Sequence, residues 1–261
     1  MGNLRSSGRL RHALTIPAWL LLAASAHAAI TVPAGGSISL AGGALDMGCT
    51  DITVGGSLQD GSAAITNVRN VTIQAGAPPD GTLDGGSGSI TLAGNWSDSG
   101  TFIPGSSSVN FVDNPGCATA STISGNTTFN NLSLVSSIGK VYTIPPDTTQ
   151  TVIHALTIQG VAGNPIQITS GVPGQKGFIN LLEGPQNIAH VGVSDNWASG
   201  QPLAPLLTNE GGTGNSRGWF GIPLNVPVPA LGAAGLALLA LLLAGSGMIL
   251  TPLRRRLQRL G

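Results

Sequence analysis

The stretch Ile52–Phe111 decides the fold, and it reads ITVGGSLQDGSAAITNVRNVTIQAGAPPDGTLDGGSGSITLAGNWSDSGTFIPGSSSVNF. Four short cores in it have the order apolar, polar, apolar, and they begin at equal intervals along the chain. Such alternation places the two apolar side chains on one face of a strand and the polar side chain on the other. Glycine-rich stretches between the cores supply tight turns. The cores are Ile52–Val54, Val71–Ile73, Ile90–Leu92 and Val109–Phe111.

A regular interval of about 20 residues without any helical pattern predicts an all-β fold, a parallel β-solenoid of the β-helix type. In such a fold each circuit of the chain, here called a rung, cannot bury its apolar face alone, and stacked rungs share one core. Further strand-like segments follow at looser spacing as far as Val193. We therefore predict that residues 29–221 form the solenoid body. An antiparallel β-sandwich, which also has strands separated by turns, remains the alternative.

The N-terminus has the three-part order of a secretory signal peptide. Three arginines precede an apolar run, and a small-x-small pattern, Ala26-His27-Ala28, follows it. We predict that signal peptidase removes residues 1–28 and that the mature chain starts at Ala29. The protein is then exported.

Charge is distributed unevenly along the chain, although the formal net charge is zero. All eleven acidic residues lie between the two basic ends, and only Arg69, Lys140, Lys176 and Arg217 are basic in that middle part. An acidic body repels phosphate backbones, so nucleic acid is not an expected partner.

Export puts Cys49 and Cys117 in an oxidising compartment, where an even number of cysteines permits a disulfide. The two lie more than three repeats apart. Rungs stack about 4.8 Å apart, which would separate the cysteines by roughly 15 Å, too far for a bond. A bond requires a loop that folds back, and residues 113–121 are the candidate. The sequence leaves the disulfide open.

The two histidines of the body, His154 and His190, are the first candidates for catalysis. His154 lies in an alternating strand and is expected to pack or cap a rung, whereas His190 lies near Ser194 and Asp195, which suggests a hydrolase. No Gly-x-Ser-x-Gly elbow surrounds Ser194, and the sequence has no histidine-rich metal spacing. We predict no catalytic residues, no cofactor and no enzymatic activity.

Asp80 and Asp84 in PPDGTLDGGSGS are weak candidates for a Ca²⁺ site, because carboxylate oxygens are ligands that this ion takes. The calcium-binding Gly-Gly-x-Gly-x-Asp repeat is incomplete here, so aspartates that stabilise tight turns are the preferred interpretation, and no metal is predicted. A glycosidase or lyase on the same fold would need clustered acids along one groove.

The C-terminus has the pattern of a membrane-spanning segment. Residues 230–250 are uncharged and would extend about 30 Å as a helix, the thickness of a bilayer core. The basic tail, 251–261, would stay in the cytoplasm by the positive-inside rule, and residues 222–229 form a proline-rich linker. The arginines that set this topology are Arg254, Arg255, Arg256 and Arg259.

The sequence Val228-Pro229-Ala230-Leu231, followed by this span and these arginines, resembles the IPTL-CTERM class of bacterial sorting signals. Ala230 stands where that class has threonine, so the related PEP-type signal is an alternative. The resemblance implies a Gram-negative envelope protein whose tail is recognised, and in some cases cleaved, by an exosortase-like protease.

The stretch GNWSDSGTFIPGSSSVNFVD, from Gly94 to Asp113, resembles the bodies of repeat-bearing bacterial surface proteins. We therefore predict an exported protein that passes through an inner-membrane stage to the cell surface or extracellular matrix. Its role would be structural or adhesive, with polysaccharide as a candidate partner. The alternatives are a secreted carbohydrate-active enzyme and a permanently anchored periplasmic protein.

Overall fold

A computed structural model describes residues 28–76 and 80–221, and within these ranges all regular secondary structure consists of β-strands. None of the described residues forms a helix with the length and hydropathy that a membrane crossing requires. The strands are, in chain order, β1 (Ile30–Val32), β2 (Ser37–Ser39), β3 (Ala44–Val54), β4 (Ser57–Gln59), β5 (Ala64–Ile73), β6 (Thr82–Asp84), β7 (Ser89–Leu92), β8 (Trp96–Asp98), β9 (Thr101–Ile103), β10 (Ser108–Phe111), β11 (Ala120–Ser124), β12 (Thr128–Val135), β13 (Val141–Thr143), β14 (Thr149–Gln159), β15 (Ile166–Thr169), β16 (Gly177–Leu181), β17 (Gln186–Ala189), β18 (Val191–Ser194) and β19 (Asn196–Ala198).

The strands stack in parallel, rung upon rung, through about seven rungs. β10, for example, pairs in parallel with β7 on one side and with β12 on the other. The predicted parallel β-solenoid is therefore confirmed, and the antiparallel sandwich is excluded. Stacking satisfies the backbone N–H and C=O groups of each rung through its neighbours, which a rung cannot do alone.

Each rung distributes its strands over three faces of the solenoid. In the fourth rung, β8, β9 and β10 follow one another around the circuit, and each pairs with strands on its own face. One face forms a separate four-stranded sheet, and the other two are joined in a larger sheet because β3 and β5 bend from one face to the next.

The four cores quoted above form two stacks on different faces, not one. Ile52 pairs with Val71 and Ile90 pairs with Val109, as their equal intervals predict. Val71, however, pairs with Trp96, which lies beyond Ile90 in the chain. The equal interval between the second and third cores is therefore a coincidence, because these two cores lie on different faces.

An excursion between β5 and β6 causes this difference. Two residues connect β3 with β4 and β8 with β9, whereas residues 74–81 connect β5 with β6. The backbone N–H of Gly81 donates to the carbonyl oxygen of Gln74 at 2.9 Å and closes the excursion at its base. The excursion lengthens one rung without moving the strands on either side, because a surface loop can lengthen at little cost.

The interior is filled by the apolar residues of each alternating strand, and an aromatic cluster lies in its centre. The ring centroids of Trp96 and Phe102 are 4.9 Å apart, and those of Trp96 and Phe129 are 5.4 Å apart. The indole N–H of the fully buried Trp96 donates to Thr127 Oγ1 at 3.2 Å. The only polar atom of the Trp96 side chain is thus satisfied, as burial requires.

One corner of the solenoid carries a column of glycines, Gly61, Gly86 and Gly105, which we call the glycine column. Their φ angles are 67°, 52° and 52°, in the left-handed region where a side chain is unfavourable. The N–H groups of Ser87 and Ser106 donate to Gly61 and Gly86 of the preceding rung, both at 2.7 Å. A Cβ atom on Gly105 would overlap the carbonyl oxygen of Gly86, so the rungs approach closely only because these positions lack side chains.

Candidate functional site

A disulfide joins Cys49 and Cys117, whose Cα atoms are 5.6 Å apart. Cys49 lies in β3, and Cys117 lies in the loop between β10 and β11, with two rungs between them. A bridge between Asn114 and Ala118 tightens this loop, which folds back across the corner instead of stacking directly. The fold-back removes the separation of roughly 15 Å that stacking at about 4.8 Å per rung would impose.

Polar side chains form a ladder along the corner that this loop crosses. Asn70 Nδ2 donates to Asp51 Oδ1 at 2.9 Å, and the Asn95 N–H donates to Asn70 Oδ1 at 2.8 Å. Arg69 pairs with Asp51 at 2.6 Å and lowers the pKa of that carboxyl group. The hydrogen-bonding groups of these side chains therefore find partners on the neighbouring rungs, and these contacts stabilise the stack.

Lys140 lies buried at the same corner, a position that the sequence did not single out. Its ammonium donates to the carbonyl oxygens of Ala93 and Val112, and it lies 5.4 Å from the ring centroid of Tyr142. Burial lowers the pKa of Lys140 to about 8, and the negative charge of Asp113 acts in the opposite direction. Lys140 connects three neighbouring rungs and is not available to a ligand.

His190, Ser194 and Asp195 each contact a different residue of the C-terminal loop. His190 Nδ1 lies 3.1 Å and 3.2 Å from the carboxylate oxygens of Glu210. Ser194 Oγ accepts the N–H of Thr213, and Asp195 accepts the side-chain amide of Asn215. Each member of the sequence pattern thus has a different partner in the C-terminal loop, and this loop is held against the last rungs.

His154 lies on the outside of the solenoid, where its Nδ1 contacts Asn131 Oδ1 at 3.1 Å. Asn131 Nδ2 in turn donates to Ser108 Oγ of the rung before, at 3.2 Å. The three side chains form a polar ladder, in keeping with the predicted role of His154 in packing or capping a rung.

The side chains of Asp80 and Asp84 both accept hydrogen bonds from backbone N–H groups. Asp80 Oδ1 accepts the N–H of Gly76 at the base of the excursion, and Asp84 Oδ1 accepts the N–H of Gly86, each at 3.0 Å. These are the contacts of turn-stabilising aspartates. Across 28–76 and 80–221, no three residues of the His, Cys, Asp and Glu types lie close enough to share a metal ion.

Asp60 is a carboxylate that the sequence pattern did not distinguish from an ordinary turn residue. Its side chain is fully buried beneath Gly88, where a Cβ atom would overlap it, and within the described residues neither carboxylate oxygen has a hydrogen-bond partner. Burial raises the pKa of Asp60 to about 6, and the charge of Asp84 adds to this effect.

The buried Asp60 carboxyl should make the stability of the body depend on pH. Its folded pKa lies above the unfolded value, so ionisation destabilises the folded state, and stability is lost as pH rises from about 4 through 6. A difference of about two pKa units corresponds to roughly 3 kcal/mol. We expect Asp60→Asn to remove that part of the decline when unfolding in urea is measured from pH 4 to pH 7.5.

Asp80→Asn is the matched control, because Asp80 is exposed and supports its turn through one hydrogen bond. A parallel pH profile for wild type and Asp60→Asn would show that the buried carboxyl does not titrate in this range.

The residues predicted to govern export and sorting lie largely outside the described ranges. Ala28 and Ala29, at the predicted cleavage point, are exposed at the start of the body, and Ala28 accepts a hydrogen bond from Thr50 Oγ1 at 3.3 Å. The residues and segments outside the described ranges are most of the signal peptide with Ala26, the linker 222–229, the sorting motif Val228, Pro229, Ala230 and Leu231, the predicted span 230–250, and the tail with Arg254, Arg255, Arg256 and Arg259.

The C-terminal pattern agrees with a known family. Residues 226–256 match the family model of the IPTL-CTERM motif. The match contains Val228–Leu231, the predicted span and the first three tail arginines, so the resemblance stated from the sequence is confirmed. The IPTL-CTERM motif indicates an exported protein that passes the membrane and is sorted through its C-terminus to the cell surface. No curated protein and no solved structure matches the chain.

Proposed function

We propose that this chain is a structural or adhesive protein of the cell surface or extracellular matrix, delivered by its IPTL-CTERM motif and processed by an exosortase-like protease. The observation that carries the proposal is the order of the chain. A solenoid body is described as far as Gly221, and the IPTL-CTERM match begins shortly after it, at Val226.

The outer faces of the body support a role in repeated weak contacts. Asn110, Ser133, Thr157 and Asn187 lie in register on four successive rungs. Each is partly or fully exposed, and the strands space them about 4.8 Å apart. A row of hydroxyl and amide groups at regular spacing suits polysaccharide or another polar surface, because many weak contacts on one rigid scaffold add up to useful avidity.

We further propose that the body is not an enzyme. A glycosidase needs two carboxyl groups facing one substrate groove, about 5 to 10 Å apart. Several of the described carboxylates have structural partners. Asp51 pairs with Arg69, Asp84 accepts a backbone hydrogen bond in a tight turn, and Asp195 accepts a hydrogen bond from the Asn215 side chain. Asp60 is fully buried. A secreted carbohydrate-active enzyme remains the rival function, and hydrolysis or lysis of polysaccharide by the purified protein would establish it.

Processing can be tested by mass spectrometry of the surface fraction from the native host. We expect peptides from the body to be recovered there and peptides beyond Leu231 to be absent. Pro229→Ala lies in the sorting motif and should retain most of the protein, with its tail, in the inner-membrane fraction. Pro223→Ala, in the linker before the matched residues, is the matched control and should be sorted normally.

Surface protein that still carries the tail peptides would contradict processing. Wild type recovered only from the inner-membrane fraction would favour the permanently anchored periplasmic alternative.

A further inference from the structure

The last rungs of the solenoid carry an aromatic pair on their outer surface. Phe178 of β16 and Trp197 of β19 lie in register on neighbouring strands, with Thr149 of β14 on the other side of Phe178. Their ring centroids are 6.2 Å apart and the rings are nearly perpendicular. Both side chains are partly exposed, whereas the outer positions of the other rungs hold mainly threonine, serine and asparagine.

Two cations converge on the same tryptophan. Lys176 Nζ lies 4.2 Å from the ring centroid of Trp197, and Arg217 Cζ lies 5.5 Å from it. No carboxylate of the described residues lies within ion-pair distance of either cation. Both charges are therefore held by one aromatic ring and remain unneutralised.

This arrangement concentrates the accessible positive charge of the described body at one place. Arg69 is paired with Asp51, and Lys140 is buried and bound to backbone carbonyl oxygens. Lys176 and Arg217 are the other two arginine or lysine residues in the described ranges, which also hold eleven acidic residues. An anionic ligand is thus repelled by most of the surface and attracted to the surroundings of Trp197.

The Trp197 ring and the backbone that carries Arg217 are held in place before any ligand arrives. Trp197 Nε1 donates to Asn215 Oδ1 at 3.1 Å, and Asn215 Nδ2 donates to Asp195 Oδ1 at 2.6 Å. The backbone around Arg217 is tied to the last strand, because the Ala198 N–H donates to the Arg217 carbonyl oxygen at 2.9 Å. Such ordering reduces the conformational entropy that is lost when a ligand binds.

We propose that Trp197, Lys176 and Arg217 form a binding site for an acidic polysaccharide whose sugar rings carry carboxylate groups. An aromatic side chain offers a rigid apolar surface for the C–H face of a sugar, and guanidinium and ammonium groups donate charge-assisted hydrogen bonds to carboxylate. Two cations are too few for a lipid surface, where recognition uses clusters of about four to eight basic residues. The proposal rests on the proposed function, since it names the ligand class of a surface protein.

The test measures binding of the full-length protein, purified in mild detergent, to immobilised polygalacturonate and to uncharged dextran at low salt. We expect binding to polygalacturonate and little binding to dextran. Trp197→Ala and the double variant Lys176→Gln/Arg217→Gln should each weaken binding about tenfold or more, as removal of a central contact residue does. The double variant changes surface positions only, so it tests the site even if Trp197→Ala folds poorly.

Arg69→Gln is the matched control for Arg217→Gln, because both remove one positive charge and Arg69 lies far from the site in sequence, on the third rung. Arg69→Gln should keep binding within about twofold of wild type, and Arg217→Gln should not. Equal losses in the two variants would mean that only the overall charge matters, and would overturn the site.

Absence of binding to polygalacturonate would also overturn it. Stronger binding to vesicles of anionic phospholipid, with the same losses in the variants, would assign the patch to a membrane surface instead. The outcomes separate this site from the proposed function. Protein found on the cell surface without polysaccharide binding refutes the site alone, and protein confined to the inner membrane that still binds the polymer refutes the proposed function alone.

Discussion

Gly105→Ala is expected to lower the free energy of unfolding by about 4 kcal/mol, the sum of a conformational cost and a steric cost. The φ angle of 52° costs an alanine about 1–2 kcal/mol, and the new Cβ overlaps the carbonyl oxygen of Gly86 in the preceding rung. Relief of that overlap requires a shift of the backbone, which adds about 1–3 kcal/mol. The shift would weaken the hydrogen bond from the Ser106 N–H to Gly86, so the loss should appear in urea unfolding at constant m-value.

Gly174→Ala separates the two contributions. Gly174 also has a left-handed φ angle, of 80°, but a Cβ atom there has no atom within 4 Å. We expect it to cost only about 1–2 kcal/mol, the conformational part alone. Equal losses in the two variants would contradict the close approach of rungs at the glycine column.

Reduction of the Cys49–Cys117 bond is expected to destabilise the body by roughly 4 kcal/mol. The bond closes a loop across a sequence separation of 68, and in the chain-entropy model a closure of this length restricts the unfolded chain by about that amount. The midpoint of urea unfolding should fall when a thiol reductant is added, and the Cys49→Ser/Cys117→Ser variant should show the same lower midpoint without reductant.

Reductant added to the double serine variant is the control, because the chain contains only these two cysteines and the variant has no thiol left to react. An unchanged midpoint in reduced wild type would show that the fold-back loop holds its position through other contacts, such as the bridge between Asn114 and Ala118.

The fold class was predictable from sequence because strand formation depends on a local pattern. Alternation in segments such as Ile90-Thr91-Leu92 directs apolar side chains to one face, and the observed burial of Ile90 and Leu92 follows it. Absence of helical periodicity, together with a regular interval between strand cores, then favoured stacked rungs. The C-terminal motif was equally local, since its proline signature, apolar run and arginines are contiguous in the chain.

The partners of each strand were not predictable in the same way. Rungs differ in length because loops such as 74–81 lengthen a circuit without disturbing the strands. Strand cores at equal intervals in the sequence therefore need not lie on the same face of the solenoid. The pattern of Val71 fits a neighbour at Ile90 as well as one at Trp96, and only the stacked backbone hydrogen bonds select Trp96.

The sequence alone determined the alternating strand cores, the side chains of those cores that face the interior, and the C-terminal sorting signal. It did not indicate the short strands of the four-stranded face, β2, β4, β6 and β9. The tertiary structure decided what lies side by side: the bond between Cys49 and Cys117, the buried carboxyl of Asp60, and the two cations at Trp197. The physical reason is that alternation acts between adjacent residues, whereas these contacts join residues about 20 to 70 positions apart, whose proximity depends on the length of every loop between them.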